Sequence, residues 1–340
     1  MIFKNAELYN VSEVYPLEGG GVGWRRVPEW VENEMEGSRT TNTNSTGVEI
    51  RFVLRGEQAV IRMAALPEPN FKCVSVFHVY RGGIQGGWDD HEDGKYVSGE
   101  VEDYVIRRSG NLETLRRMAK IARDPFDPEV IRVIFDRGHY RLVDIIGDIE
   151  PPTKRQTPQS TILFYGSSIT HGSNSIDMSH SFAARVGAAL GMDVRNLGFA
   201  GSCALEPAMA KYIAEEGKAG RFDVAVLELG INVIGWEESK IRERVENILR
   251  EVAGGNPEKP IFVISPFYAS EDFYGRPRLA NWRKIIAEIA AQLNYPNLTY
   301  INGLDLLGSP ALLSADEVHP NIDGVDAIAQ GLTEIIRKKI

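Results

Sequence analysis

A serine-rich turn between an apolar run and a helical pattern is the first place in this sequence where chemistry can be expected. Residues 161–165 form the apolar run, and Gly166-Ser167-Ser168-Ile169-Thr170-His171-Gly172 follows it. A turn of this kind exposes a hydroxyl above a sheet and leaves backbone N–H groups free to bind a developing oxyanion. It is not the G-x-S-x-G elbow, because Thr170 stands where the second glycine would be. Taken alone, a helix-capping serine is the better explanation.

A serine nucleophile also needs a base, and three Asp-x-x-His pairs occur in the chain. Neutral serine must lose its proton to a base, and the base needs a partner that fixes its tautomer and stabilises its charged form. An Asp three residues before a His on one turn can reach Nδ1 of the ring and leaves Nε2 free for the serine. The spacing does not choose among the three pairs, which are Asp136/His139, Asp177/His180 and Asp316/His319.

The elements that must hold these residues change type at a proline-rich segment. Residues 150–160 contain three prolines and can continue neither a helix nor a central strand. Before this segment, β-branched and aromatic residues alternate with period two, which predicts an all-β sandwich, jelly-roll-like, over residues 1–150 and a linker over 151–160. The predicted strands are 48–54, 59–65, 74–80, 101–106, 130–135 and 140–146, and one helix is predicted at 112–122.

After the linker, residues 161–340 alternate short apolar runs with helical patterns. This rhythm predicts an α/β domain in which helices cover both faces of a parallel sheet. Amphipathic helical spacing starts at Ile241, Trp282 and Val325. The predicted strands are 161–165, 193–198, 223–229, 260–265 and 298–302.

Four blocks in residues 161–340 resemble those of the SGNH hydrolases, also called GDSL esterases, and occur in family order. The blocks are Gly166–Thr170, Asn196–Ser202, Glu228–Asn232 and Asp316–Pro320. The resemblance implies a flavodoxin-like α/β/α domain of three layers, with Ser168 as nucleophile, His319 as general base and Asp316 as its orienting carboxylate. It also implies an oxyanion hole formed by the backbone N–H groups of Ser168 and Gly201 and the side-chain amide of Asn232.

Position in the chain supports Asp316/His319, the last Asp-x-x-His pair, as the orienting carboxylate and the base. Only this pair follows the final predicted strand and precedes the final helix. The first pair lies in the β-domain, where a turn is the simpler explanation, and the second begins a helix shortly after Ser168 and stays open as an alternative. Two residues depart from the family pattern: Ser167 replaces the Asp beside the nucleophile, and Val233 replaces the Asp that often follows the oxyanion Asn. Both weaken a specific lipase assignment and remove no catalytic group.

Substrate contacts are indicated less specifically. The β-domain resembles the sandwich that precedes the catalytic domain in carbohydrate esterases of family 2. We predict that the 82–90 loop reaches the rim of the site and that Trp88 contacts the substrate alcohol, since glycines flank Trp88 and an indole suits an apolar sugar face. His171, Phe267 and Tyr268 are further candidates, although large aromatic residues usually belong to cores.

The predicted function is a serine esterase that needs no cofactor and no metal and removes a small acyl group, acetyl, from a carbohydrate or similar polar alcohol. Its substrate would be a small-molecule or oligosaccharide ester. An acyltransferase that passes the acyl group to another alcohol is the alternative within the same chemistry. A noncatalytic carbohydrate-binding protein is the alternative of another class. Since no His/Cys/Asp cluster with metal-ligand spacing accompanies the blocks, chelators should leave the rate unchanged.

Composition, charge and the cysteine count indicate what kind of protein this is and which partners it can have. The chain has 340 residues, 43% hydrophobic and 25% charged, which is typical of soluble globular proteins and long enough for two domains. A net charge of −9 has the wrong sign for a nucleic-acid partner. The N-terminus lacks a signal-peptide pattern and no apolar run approaches the roughly 18 residues that span a bilayer, so we expect a cytoplasmic protein without a membrane partner. Cys73 and Cys203 are expected to be buried spectators.

Overall fold

The computed structural model describes residues 1–67, 75–88 and 91–340. Cys73 lies outside the described residues, as do Val74 of a predicted strand and Asp89 and Asp90 of the predicted rim loop. The chain forms two compact units. The first consists of Met1–Glu29, Asn42–Gln159 and Gly191–Asp193, and the second of Trp30–Thr41, Ser160–Leu190 and Val194–Ile340.

The first unit is built on an antiparallel sheet, as the period-two pattern predicts. The strands are β1 (Ile2–Phe3), β2 (Ala6–Tyr9), β3 (Glu13–Pro16), β4 (Val22–Arg25), β5 (Glu49–Leu66), β6 (Val76–Arg81), β7 (Ile84–Gln85), β8 (Lys95–Tyr96), β9 (Glu102–Arg107), β10 (Val130–Phe135) and β11 (His139–Glu150). The predicted helix at 112–122 is confirmed as α2 (Leu112–Ala122). The short helix α1 (Glu29–Asn33) follows β4 in the sequence, and its residues after Glu29 belong to the second unit.

Strand β5 joins the parts of this sheet, and it corrects one prediction. Residues 48–54 and 59–65 were expected to be two strands, but they belong to one strand of 18 residues. Its first part pairs with β2 and β10 and its later part with β9, while β11 pairs with both parts. The residues that enter the core are Ile50, Phe52 and Leu54 and then Ala59, Ile61 and Met63. Because this alternation changes parity across residues 55–58, the polar stretch is a bend within a strand and not a turn between two.

The second unit contains a five-stranded sheet in the order β13-β12-β14-β15-β16, with parallel pairing from β12 through β16. This is the doubly wound order in which ligands bind at the carboxyl ends of the strands. The strands are β12 (Thr161–Gly166), β13 (Asp193–Gly198), β14 (Val224–Glu228), β15 (Ile261–Ile264) and β16 (Leu298–Ile301). All five correspond to predicted strands, and the predicted fold class is confirmed.

The longer helices cover this sheet because each of them buries an apolar face. The last helix, for example, buries Val325, Ile328, Leu332 and Ile336 at helical spacing. The helices are α3 (Ser168–His171), α4 (Phe182–Leu190), α5 (Pro207–Lys218), α6 (Glu238–Leu249), α7 (Ser270–Phe273), α8 (Arg278–Leu293), α9 (Gly303–Leu307) and α10 (Ile322–Arg337). Among the described residues, no helix combines the length and apolar character needed to cross a bilayer.

Candidate active site

The turn that carries Ser168 is built by close packing at the end of β12. Gly166 is the last residue of β12, and a Cβ atom there would lie 2.3 Å from Oγ1 of Thr170, so only glycine fits. Ser167 has extended backbone angles and caps α3 by accepting a hydrogen bond from Ile169 N–H at 3.2 Å. Ser168 is therefore the first residue of α3, where the backbone N–H has no helical partner.

The structure brings Ser168, His319 and Asp316 together. The Oγ atom of Ser168 lies 2.7 Å from Nε2 of His319, and Nδ1 of His319 lies 2.8 Å from Oδ2 of Asp316. An ionised carboxylate can only accept, so the ring proton sits on Nδ1 and the Nε2 lone pair faces the serine hydroxyl. In this arrangement the imidazole can take the proton from Ser168.

A tight loop between α9 and α10 holds the Asp-His pair. The backbone of Leu313 pairs with that of Pro320 at its base. Oδ1 of Asp316 accepts hydrogen bonds from the backbone N–H groups of Val318 and His319 at 3.0 and 2.9 Å. Glu317 between them has a φ of 63°, a left-handed conformation that non-glycine residues adopt at a cost. The loop conformation thus directs both the carboxylate and the imidazole.

Neighbouring elements fix this loop further. The carbonyl of Glu317 accepts a hydrogen bond from Ser270 N–H at 2.7 Å, and its carboxylate accepts one from the Tyr274 hydroxyl at 3.0 Å. The side-chain amide of Asn174 donates to Oδ2 of Asp316 at 3.3 Å and to the Ser314 hydroxyl at 2.9 Å. Sequence reasoning did not identify Asn174 or Tyr274, since neither has a motif of its own.

The electrostatics of Asp316 suit an orienting carboxylate. Burial works against its ionisation, but hydrogen bonds from the His319 backbone, the Ser314 side chain and the His319 ring outweigh burial and hold the pKa of the carboxyl below its ordinary value. Asp316 is therefore ionised across the neutral pH range and can stabilise a protonated His319.

The three residues predicted for the oxyanion hole each carry a hydrogen-bond donor without a partner among the described residues. Gly201, in the loop after β13, has a φ of 68°. Neither the Gly201 N–H nor the Ser168 N–H donates to any residue that the structure describes. Asn232 lies in the turn after β14, and its Oδ1 accepts a hydrogen bond from Cys203 N–H at 3.1 Å. Because Oδ1 faces the Cys203 N–H, the Nδ2 group of Asn232 is turned the other way and remains a donor.

A segment from the N-terminal part of the sequence supports the loop that carries Gly201. Residues 30–41 belong to the second unit. Ser38 N–H donates to the Ser202 hydroxyl at 2.9 Å, and Glu36 N–H donates to Glu206 at 3.1 Å. The Glu36 carboxylate is paired in turn with Lys240 and Arg244. This support was not predicted, because nothing in residues 30–41 links them by pattern to residues after 160.

The pair Asp177/His180 forms the same local contact as the pair at 316 and 319. Nδ1 of His180 lies 3.0 Å from both carboxylate oxygens of Asp177, and Asp177 caps the turn at Met178–His180. The hydrogen bond of the Ser168 hydroxyl, however, goes to His319. The first Asp-x-x-His pair lies at the turn between β10 and β11, where burial raises the pKa of Asp136.

The remaining predicted substrate contacts lie in different environments. His171 is buried at the end of α3, and Phe267 is buried after β15, where its carbonyl accepts a hydrogen bond from Arg283. Tyr268 is half-buried and stacks on Phe273, which is 48% exposed. Trp88 is 74% exposed in the first unit. A flat exposed indole and a stacked, partly exposed aromatic pair are surfaces that a sugar or acyl group can contact.

A buried carboxylate beneath the serine turn also escaped sequence reasoning. Glu228 ends the strand Val-Ala-Val-Leu-Glu and is 1% exposed. Its Oε2 atom accepts hydrogen bonds from Ser167 N–H and from the Ser167 hydroxyl, both at 2.7 Å, and from the Thr170 hydroxyl at 3.1 Å. Burial raises its pKa to about 7, against hydrogen bonds that lower it. An acidic residue ending a wholly apolar strand was the available signal.

A comparison with protein families finds a match that lies almost entirely within the second unit. Residues 164–327 match the model of the GDSL-like lipase/acylhydrolase family. These residues therefore form a domain of this family, and the resemblance of the four blocks, all of which lie within the match, is confirmed. No curated protein sequence matched the chain.

Solved structures show that the whole two-unit architecture recurs. A salicylyl-acyltransferase from a tetracycline biosynthetic pathway, SsfX3, is 17% identical with a TM-score of 0.73, covering 98% of this chain and 94% of that one. A family two carbohydrate esterase from Clostridium thermocellum, in complex with cellohexaose, is 14% identical with a TM-score of 0.61, covering 98% and 99%. An acetyl xylan esterase from the rumen bacterium Butyrivibrio proteoclasticus is 12% identical with a TM-score of 0.57, covering 99% and 97%. At these identities the likeness concerns the fold.

Proposed function

We propose that this protein is a serine esterase that removes a small acyl group, acetyl, from a hydroxyl of a carbohydrate or similar polar alcohol. The observation that carries the proposal is the continuous hydrogen-bonded path from Asp316 through His319 to the Ser168 hydroxyl. A neutral serine becomes a nucleophile when an adjacent base removes its proton, and this path supplies the base and its orienting group.

The reaction would proceed in two steps. Ser168 Oγ attacks the ester carbonyl as His319 takes its proton, and the tetrahedral oxyanion is bound by the Ser168 N–H, the Gly201 N–H and the Asn232 amide. His319 then protonates the leaving alcohol, and the acyl group stays on Ser168 as an ester. A water molecule, deprotonated by His319, attacks this acyl-enzyme and releases the carboxylic acid and the free serine.

The substrate class is argued from the neighbouring folds and from the exposed aromatic residues. Among the similar structures, the family two carbohydrate esterase from Clostridium thermocellum is bound to cellohexaose. Another, from Butyrivibrio proteoclasticus, is an acetyl xylan esterase. Trp88 in the first unit offers a flat surface of the kind that stacks on sugar rings. We therefore propose an acetylated sugar or oligosaccharide as the ester.

A second candidate is an acyltransferase with the same acyl-enzyme. It is favoured by one observation, the likeness of nearly the whole chain to a salicylyl-acyltransferase at a TM-score of 0.73. The chemistry differs only in the second step, where an alcohol replaces water as the attacking group. A panel of acyl esters, assayed with and without candidate alcohols and followed by product mass, separates the two: free acid indicates hydrolysis, and a new ester indicates transfer.

The proposal is tested by covalent labelling and by a comparison between the two Asp-His pairs of the second unit. A fluorophosphonate should label Ser168, and Ser168→Ala should lose both labelling and activity on p-nitrophenyl acetate. His319→Ala should be nearly as inactive, whereas His180→Ala, which removes an equally spaced histidine, should keep its activity. Full activity of Ser168→Ala, or loss of activity in His180→Ala alone, would show that the site is misassigned.

A further inference from the structure

The carboxylate of Glu228 has an unusual set of partners. All three of its hydrogen bonds are accepted by one oxygen, Oε2, and all three come from the turn that carries Ser168. The other oxygen, Oε1, is buried and has no hydrogen-bond partner among the described residues. A carboxylate that served only to fill the core would be replaced at lower cost by an apolar residue, because burying a charged group is expensive. The hydrogen bonds of Glu228 therefore indicate that its carboxylate acts on the turn that carries Ser168.

The contacts show how Glu228 acts on Ser168. The single proton of the Ser167 hydroxyl points to Glu228, so the oxygen of that hydroxyl keeps its lone pairs for Ile169 N–H. That second bond is the N-terminal cap of α3, and Ser168 is the first residue of the helix. Thr170, one turn of chain later, is tied to the same carboxylate oxygen. Glu228 thus fixes the residues on both sides of Ser168.

The backbone of Glu228 faces the other half of the site. The thiol of Cys203 lies 3.8 Å from the Glu228 carbonyl, and Cys203 N–H is the group that orients the Asn232 amide. One residue at the end of β14 therefore contacts both the serine turn and the loop that orients a proposed oxyanion donor.

We propose that Glu228 is a positioning residue, which sets the direction of the Ser168 hydroxyl and N–H through Ser167 and Thr170 without touching the substrate. The inference rests on the proposed function, since it assigns a role in the same site.

The protonation state of Glu228 gives the role a measurable signature. The Cys203 thiol lies against the backbone carbonyl of Glu228, and burial raises the pKa of this thiol well above its ordinary value, so it stays neutral. The groups facing the Glu228 carboxylate from the serine turn are the uncharged hydroxyls of Ser167 and Thr170. Ionisation strengthens the three hydrogen bonds to Oε2, and protonation would place a buried O–H on Oε1 without an acceptor. The ionised form is therefore the one that holds the turn.

The test compares Glu228→Ala and Glu228→Gln with Glu216→Gln, a change at another buried glutamate, which lies on α5 and pairs with Arg195 and Arg221. We expect Glu228→Ala to lower kcat by about 10–10²-fold with little change in KM, since small misplacement of a reacting group costs rate and not ground-state binding. Labelling by a fluorophosphonate should slow to the same extent. Glu216→Gln should change only the unfolding temperature.

Glu228→Gln tests the pH profile of kcat, which a purely structural role of Glu228 would not change. It keeps the shape and an acceptor oxygen but not the charge, so at pH 8 it should lower kcat less than Glu228→Ala does. In the native protein, protonation of Glu228 should lower kcat as the pH falls through about 7, so the difference between native and Glu228→Gln activity should be widest at pH 8 and should close in acid. If Glu228→Ala fails to fold, Ser167→Ala, which removes the hydroxyl link, should still lower kcat.

The inference is wrong if folded Glu228→Ala or Ser167→Ala has the native kcat, or if Glu228→Gln keeps the native pH profile. These outcomes are distinct from a failure of the proposed function. If Ser168→Ala stays active, the esterase mechanism itself fails, whatever Glu228 does. If Ser168→Ala is inactive and the Glu228 variants behave like the native enzyme, only the positioning role is lost.

Discussion

The Asn232 side chain offers the sharpest test of the proposed oxyanion hole, because the structure determines which end of its amide is engaged and which end can still donate. Oδ1 is engaged by Cys203 N–H at 3.1 Å, which leaves Nδ2 as the donor. Replacing Asn232 by Ala removes that donor, and the loss of one oxyanion donor lowers kcat by about 10²–10³, or about 2.7–4 kcal/mol of transition-state stabilisation. The value of KM should change little, since the negative charge exists only in the transition state.

The same substitution has a second consequence that must be separated from the first. Asn232→Ala also leaves the Cys203 N–H without its acceptor, and an unpaired buried donor costs about 1–3 kcal/mol of stability. Asn232→Asp divides the two effects. Its carboxylate still accepts from Cys203 N–H, so the unfolding temperature should drop less, but an oxygen replaces the donor and repels the oxyanion, so kcat should fall at least as far.

Initial rates on p-nitrophenyl acetate give kcat and KM, and thermal unfolding gives stability. Asn302→Ala is the matched control, because Asn302 caps α9 by accepting from Leu304 N–H at 3.2 Å. That change should cost about 1 kcal/mol of stability and leave kcat unchanged. A native kcat in Asn232→Asp, or an effect of Asn232→Ala confined to KM, would refute the assignment of Asn232 as an oxyanion donor.

Three other predictions follow from the same structure. Asp316→Asn should lower kcat by about 10⁴. Because folding lowers the pKa of Asp316, the ionised carboxylate stabilises the native protein above about pH 4, and this stabilisation is lost on acidification. The unfolding temperature of Asp316→Asn should therefore fall less steeply below pH 4 than that of the native protein. Gly37→Ala would place a Cβ 2.6 Å from Cβ of Ser202 and should lower both kcat and the unfolding temperature, whereas Gly99→Ala, with nothing within 4 Å, should change neither. Trp88→Ala should reduce kcat/KM for an acetylated sugar and not for p-nitrophenyl acetate; equal effects on both, or none, would reject a role in binding the sugar.

The large features of the fold could be predicted because they rest on local periodicity and on breaks in it. Strands β12, β14 and β15 of the parallel sheet are largely buried apolar runs, and a run such as residues 224–228 is recognisable without any knowledge of its neighbours. The period-two pattern of the N-terminal part likewise indicated an antiparallel sheet. The bend inside β5 was missed, because its polar residues 55–58 look like a turn in sequence and only the strand partners show that the chain continues extended.

The short strands near the N-terminus were missed for a related reason. β1 to β4 contain two to four residues each and are mostly only half-buried, so they carry little periodic signal. Their place in the sheet depends on pairing with β5 and β11, which lie far along the chain. Strand pairing over such separations is decided by the tertiary structure.

The candidate site likewise combines parts that the sequence determines locally with contacts that only the tertiary structure decides. By itself the sequence determined the local parts of the site, which are a capped serine turn and two Asp-x-x-His turns in the second unit. Both of these turns form an Asp–His hydrogen bond, at 3.0 and 2.8 Å, because the three-residue spacing brings the two side chains together. Only the tertiary structure decided that the Ser168 hydroxyl bonds to His319, since that contact spans 151 residues and depends on which strand ends meet at one edge of the sheet. It also decided that the carboxylate of Glu228 lies beneath the serine turn, because β14 pairs with β12 and their ends coincide.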